Sequence, residues 1–287
     1  MARGRFTAVA YPNDRQLARS LLDHAVAHDS FPGLARPNRR VLLEVAPNEQ
    51  RFREWVGPSA PEWGVAIAIP GEGRIIIQGR GASSEAGDPV RVFRHELAHL
   101  ALDEALNGLA PRWFDEGYAS YAAGEWGREE VLATSMALAM RRVPSLDSLD
   151  KEFYAGSGRA SAAYALAYRA VSDIARLDPE RGLALFFRYW AEEGEMESAF
   201  RLAYGITLHD FERRWKALTI RRYGVIALVA DLTLVIGLFM LLVLPLYLTR
   251  KKRDRRRLAV LVEADEALDE EYEDDMEQGT DFDDIYE

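Results

Sequence analysis

The spacing of apolar positions divides the chain into two unlike parts. Up to about Val90 the apolar residues come in short runs bounded by Pro, Gly and Asn. RFTAVAYP and RVLLEVAP read as strands with the helix NDRQLARSLLDHAVAH between them, and NEQRFREWVG as a short helix capped by Asn48. WGVAIAI and GRIIIQG, separated by PGEG, read as a hairpin, and GRGASSEAGDP as a loop. Beyond Val90 the period becomes helical. Two helices surround a break at Gly108–Pro111, where Gly and Pro end one helix and start the next. REEVLATSMALAM, SAAYALAYRAVSDIARL, PERGLALFFRYWAEE and EMESAFRLAY follow, the last leading into HDFERRWKAL. VPSLDSLDKEFYAGSGR is the longest segment read as irregular. The order implies an α+β class: residues 1–90 form an α+β part with an edge-strand hairpin, and residues 91–218 a helical part.

The pattern changes again at YGVIALVADLTLVIGLFMLLVLPLYL, Tyr223–Leu248. A bilayer needs about 20 apolar residues, and this run exceeds that, with tyrosines at both ends and RKKRDRRR next to it. It is expected to be a single transmembrane helix in contact with the lipid bilayer. Asp231 inside it is expected either near headgroup level or facing a partner helix. The seven basic residues after the span outnumber the five in RRWKALTIRR before it. That balance predicts a single-pass protein of the cell membrane with a cytoplasmic tail and an extracytoplasmic domain. MARGRFTAVAYPND has no apolar stretch of signal-peptide length, which sits awkwardly with that topology.

Charge is segregated. From Leu258 onward there are fourteen Asp or Glu and no Lys or Arg, so the net charge of −10 leaves about +4 on residues 1–257. Residues 249–287 read as a basic juxtamembrane block followed by an acidic, disordered tail, either purely solubilising or offering Phe282 and Tyr286 as docking points to a protein partner. No nucleic-acid partner is expected. The absence of cysteine excludes a disulfide framework and a thiolate metal site. At 287 residues the chain holds one sizeable domain plus accessories.

The helical part carries VFRHELAHLALDE, in which His95 and His99 are four apart and Glu96 follows the first. On a helix residues four apart share a face, so both imidazoles can point at one spot, half of a tetrahedral zinc site. Spacing alone does not suffice: His24 and His28 in LLDHAVAHD repeat it, with no Glu after His24 and no third ligand nearby. That pair reads as the polar edge of an amphipathic helix. For the second pair, PRWFDEGYASYAAGEW supplies a third donor, Glu116, seventeen residues beyond His99 on the following helix. Trp113, Phe114, Gly117 and Ala119 suit close packing of the two motif helices. Two histidines and a glutamate leave the fourth zinc position open, the arrangement of a catalytic site.

His95-Glu96-x-x-His99 followed by Trp113-Phe-Asp-Glu116-Gly117-Tyr-Ala119 resembles the gluzincin metallopeptidases, most closely the aminopeptidase-N-like branch. The similarity covers roughly Phe6 to Leu218, with the specific signal in the two-helix core. The resemblance implies a thermolysin/aminopeptidase-like domain with a small β-sheet beside the cleft and a helical second half. It implies one Zn2+ per chain on His95, His99 and Glu116, and Glu96 as general base. It also implies an oxyanion-assisting tyrosine on a later helix, with Tyr164 favoured over Tyr168 on the same face. The glutamate with which true aminopeptidases grip a free amino terminus has no match in WGVAIAIPGEG. Asp103, one turn past His99, and Asp115 are candidates to orient an imidazole, although a solvated surface carboxylate is the commoner reading for each. His209 is expected in a helix-cap region.

The functional expectation is a membrane-anchored zinc metallopeptidase acting on peptides or proteins, with endopeptidase-like cleavage through a water activated by Glu96. The alternatives are a catalytically silent, zinc-held binding module and a hydrolase of a non-peptide amide or ester. A module that had abandoned catalysis would have no chemical need for Glu96.

Overall fold

The computed structural model describes residues 1–57, 64–79, 81, 87–125, 127, 143–222, 236, 237, 239–253, 255 and 257. The chain divides into two compact units, Met1–Leu228 and Val229–Glu287.

In the first unit the short apolar runs become strands: β1 (Ala2–Arg3), β2 (Phe6–Ala10), β3 (Val41–Ala46), β4 (Ala66–Ile69) and β5 (Arg74–Gln78). They form one sheet in the order β1-β2-β3-β5-β4. β2 and β3 are parallel, as are β3 and β5, whereas β1 pairs antiparallel with β2 and β4 with β5. The parallel pairs require crossovers. Helix α1 (Arg15–Ala27) supplies the first, and α2 (Glu49–Val56) follows β3. Asn48 accepts a hydrogen bond from the N–H of Arg51 and caps α2, as expected. The hairpin of β4 and β5 also forms as expected, with a 3-10 turn at Pro70–Glu72 between its strands. Among the described residues β4 pairs only with β5 and ends the sheet as an edge.

β5 shows why the run of isoleucines is strand-like without alternation: Ile75 and Ile77 enter the main core, while Ile76 packs on the opposite face with Phe52 of α2.

The helical half comprises α3 (Pro89–Leu106), α4 (Arg112–Ala122), α5 (Leu146–Glu152), α6 (Ser157–Ala175), α7 (Ala184–Glu193), α8 (Met196–Tyr204) and α9 (208–222). Segment 143–159 is therefore not irregular throughout. Leu146 and Leu149, one turn apart, are buried and hold α5 against the core, a helix too short for its period to stand out in sequence. Gly117 of α4 meets α6, not α3. A Cβ there would lie 2.4 Å from the carbonyl oxygen of Ala167, so glycine is what permits α4 and α6 to approach. His209 is exposed at the start of α9, where the hydroxyl of Thr207 accepts from the N–H of Asp210.

The expected helix at 128–140 and the acidic tail lie outside the described residues. So do residues 223–235 and 238 of the expected membrane span, Asp231 among them. Among the described residues no helix is long and apolar enough to cross a membrane. Of the second unit, 239–253 are helical, and Phe239, Met240, Leu241 and Leu242 are all exposed.

Candidate metal centre

α3 is the platform. Asp88 caps it by accepting from the N–H of Val90, and Pro89 takes the first turn, where its missing N–H costs nothing. Phe93, Leu97, Leu100 and Ala101 anchor the helix in the core, leaving His95, Glu96 and His99 to line a cavity of about 570 Å³. Asn107, left-handed at φ 50°, stops α3, and Pro111 precedes α4. The return brings Glu116 opposite the two imidazoles.

Nε2 of His95 lies 3.5 Å and Nε2 of His99 3.7 Å from Oε2 of Glu116. The donor atoms of the three residues all fall within 4.8 Å of one another. Donors at zinc-bond lengths around a tetrahedral ion stand ~3.4 Å apart, so these spacings fit zinc with little adjustment. Nδ1 of His99 is 2.7 Å from Oδ1 of Asp115, and Nδ1 of His95 is 3.2 Å from Oε1 of Glu125. Each Nδ1 is held by a carboxylate and each Nε2 faces Glu116, so that loss of the Nε2 proton to a metal would leave Nδ1–H donating to its carboxylate, the tautomer a metal needs. On Glu116, Oε1 faces Nη2 of Arg112 at 3.3 Å.

The electrostatics favour a cation. Burial opposes charge on His95 and His99, yet hydrogen bonds with Glu116 and Glu125 raise His95 to about 10, and Asp115 raises His99 to about 9. Burial works against ionisation of Glu116 too, but the imidazoles and Arg112 bring it down to about 2. Glu96 goes the other way: burial raises it, only partly offset by the imidazoles and by a hydrogen bond from the backbone of Ala68 in β4. Four carboxylates around two imidazoles form a donor set that suits a divalent ion.

The candidate residues sort clearly. His95, Glu96, His99 and Glu116 converge, and Tyr164 lines the same cavity while packing edge-on against Phe153 at 4.9 Å. Tyr168 is buried near Tyr121 and is not among the lining residues. Asp115 is more than a solvated surface carboxylate, since it orients His99. Asp103 does not reach an imidazole; it pairs with Arg39 at 2.8 Å. Sequence reasoning missed Glu125 and Arg112. Glu125 stands nine residues after Glu116, and nothing in that spacing announces that the end of α4 lies beside the first turns of α3. Arg112 sits four before Glu116, a helical ion-pair spacing that was open to recognition. The segment 143–159 borders the cavity through Tyr154.

No curated protein matches the chain. A profile of the Peptidase MA superfamily matches residues 35–221, a span that takes in β3 to α9 and every residue of the centre. With its family profile covering well over half of its length and its histidine pair and glutamate gathered at one point, the chain belongs to the Peptidase MA superfamily.

Proposed function

We propose that this chain is a membrane-anchored zinc metallopeptidase of the aminopeptidase-N-like kind that cuts internal peptide bonds. The observation that carries the reading is the meeting of two Nε2 atoms and Oε2 of Glu116 beside a buried carboxylate, Glu96, in a cavity walled by an edge strand. His95, His99 and Glu116 would hold one zinc ion. Bound there, zinc would bring the pKa of a water to about 7 and polarise a substrate carbonyl.

The remaining steps belong to side chains. Glu96 takes a proton from the attacking water and delivers it to the departing amine nitrogen. Burial raises its pKa, the direction that strengthens a carboxylate as a proton acceptor. The bond from Ala68 holds its carboxylate against β4. The hydroxyl of Tyr164 is the donor assigned to the developing oxyanion, supported by its place on the cavity wall. β4 offers main-chain groups to an extended peptide, and such pairing ignores side chains. Glu72 of the hairpin turn pairs with Arg74 and is not a lining residue, so no carboxylate of β4 or its turn grips a free amino terminus.

The anchor is Tyr223–Leu248, supported by its apolar length and by consecutive exposed apolar side chains at 239–242, which on a helix point to nearly every side. The domain faces away from the cytoplasm and the acidic tail toward it, where the tail is available to a protein partner.

The test uses the full chain in detergent with peptides whose amino termini are free or acetylated, products being read by mass spectrometry. Internal products from both peptide sets are expected, lost in Glu96→Gln with zinc retained. Stepwise loss of amino-terminal residues, abolished by acetylation, would overturn the endopeptidase assignment. Release of the chain from membranes by alkaline carbonate would overturn the anchor.

A further inference from the structure

Arg112 has no part in the chemistry above, yet it touches both a metal-ligand candidate and the rim of the cavity. It opens α4 one turn before Glu116, and its Nη2 faces Oε1 of that residue at 3.3 Å. Its Nη1 donates to the hydroxyl of Tyr154. The guanidinium lies 4.4 Å over the Tyr154 ring and 5.4 Å from the centre of the Phe153 ring. The helix end that carries it is pinned by a hydrogen bond of 3.0 Å from the N–H of Trp113 to Oδ1 of Asp150. Its Nε is buried without a hydrogen-bond partner among the described residues, a cost accepted only where other contacts dictate the position of the side chain. Among the described lining residues it is the one Lys or Arg, beside the carboxylates of Glu96, Asp115, Glu116 and Glu125.

A carboxylate beside a divalent ion can donate through one oxygen or both. In a catalytic zinc site the protein supplies three donors and the fourth position stays open. If both oxygens of Glu116 turned to the ion, the second would crowd that position. The contacts of Arg112 work against this, because they hold Oε1 and leave Oε2 facing the two Nε2 atoms. An exposed ion pair at this helical spacing contributes little. Here Glu116 is only 12% exposed, and the guanidinium is held between it and two aromatic rings.

We propose that Arg112 is a positioning residue: braced by Tyr154, it restrains Oε1 of Glu116 so that Glu116 offers a single oxygen to the metal. The proposal rests on the zinc reading of His95, His99 and Glu116.

Two readouts on the full chain test it, neither depending on catalysis: zinc affinity by competition with a chromophoric chelator, and the visible absorption of the cobalt-substituted protein, which weakens as coordination rises above four. Arg112→Ala is expected to lose 10- to 100-fold in zinc affinity, the range for groups that orient ligands, and to show weakened cobalt bands. Arg112→Lys, which keeps the charge but not the two-pronged donor, is expected to recover affinity only in part. Tyr154→Phe keeps the ring and loses the hydroxyl, and is expected to shift both readouts the same way by less. Wild-type protein that takes up neither metal would overturn the centre itself. Metal uptake by wild type with unchanged affinity and spectrum in Arg112→Ala would overturn the role of Arg112 alone. Should Arg112→Ala lose its helical circular dichroism, unchanged readouts in both Arg112→Lys and Tyr154→Phe would overturn it equally.

Discussion

Two histidine pairs with the same four-residue spacing meet opposite fates. At the end of α1, His24 and His28 stack with ring centroids 4.2 Å apart at 23°. Nδ1 of His28 lies 3.0 Å from the carbonyl oxygen of His24, a partner within its own helix. In α3, His95 and His99 stand 4.9 Å apart at 73°, each with Nδ1 on a carboxylate from outside the helix. The surroundings act in opposite directions. Burial, His28 and Arg94 lower the pKa of His24, whereas Glu116, Glu125 and Asp115 overcome burial and raise those of His95 and His99. Spacing puts two rings on one face; the carboxylates that arrive from elsewhere make one pair part of a candidate ligand set and leave the other a surface feature.

The comparison breaks most sharply at metal content. His99→Ala is expected to lose essentially all zinc, and His28→Ala none, by elemental analysis of purified protein. Equal loss in the two variants would erase the distinction. Glu96→Gln should keep its zinc and lose about 10²–10⁴-fold in turnover if Glu96 is, as proposed, a proton carrier and not a ligand.

The next effect lies behind the ligands. Asp115→Ala and Glu125→Gln should each weaken zinc binding by about 10–100-fold, as measured by chelator competition. Affinity unchanged in both would mean that the tautomers are set by something else.

Protonation sharpens the comparison further. In metal-free protein His95 and His99 are raised above the ordinary value near 6.5, so their stabilising contribution is complete below about 6.5 and lost as pH rises through about 9 and about 10. His24, being lowered, has the opposite sign: it withdraws stability as pH falls through the ordinary value. Imidazole NMR titration of the chelated protein checks this, and a His95 or His99 signal titrating below that of His24 would contradict it. Zinc uptake at pH 7 should accordingly release about two protons per chain, seen by calorimetry in buffers of different ionisation enthalpy.

The smallest expectation concerns the surface pair. His24→Gln and His28→Gln should each shift stability by no more than about 0.5 kcal/mol in thermal melts.

Local periodicity made several elements legible. Alternation and bounded runs gave β2, β3 and the hairpin, and helical spacing gave α3, α4 and α6, because these patterns express which face of an element is buried. The sequence could not say that β2, β3 and β5 run parallel, since strand direction depends on how the crossovers pack and not on the strands' own composition. The segment around Leu146 and Leu149 read as irregular because α5 is too short to display a period.

In the centre, His95, Glu96, His99 and Glu116 were readable, since a metal site built on one helix and the start of the next keeps its ligands at characteristic short spacings. The sequence alone also determined the segregation of charge and the apolar run at Tyr223–Leu248. Which carboxylate serves which imidazole was a tertiary decision. Asp103 shares a helix with His99 but turns to Arg39, whereas Asp115 and Glu125 come from α4 and the residues just beyond it. The same holds for Arg112: its spacing to Glu116 is local, but its bracing by Phe153 and Tyr154 exists only because α5, which they follow, packs against α4. Side chains on one helix are related by a fixed repeat that sequence records. Side chains on different elements are related by the angle and depth at which those elements pack, set by the whole buried core, here down to the missing Cβ of Gly117 that lets α4 settle against α6.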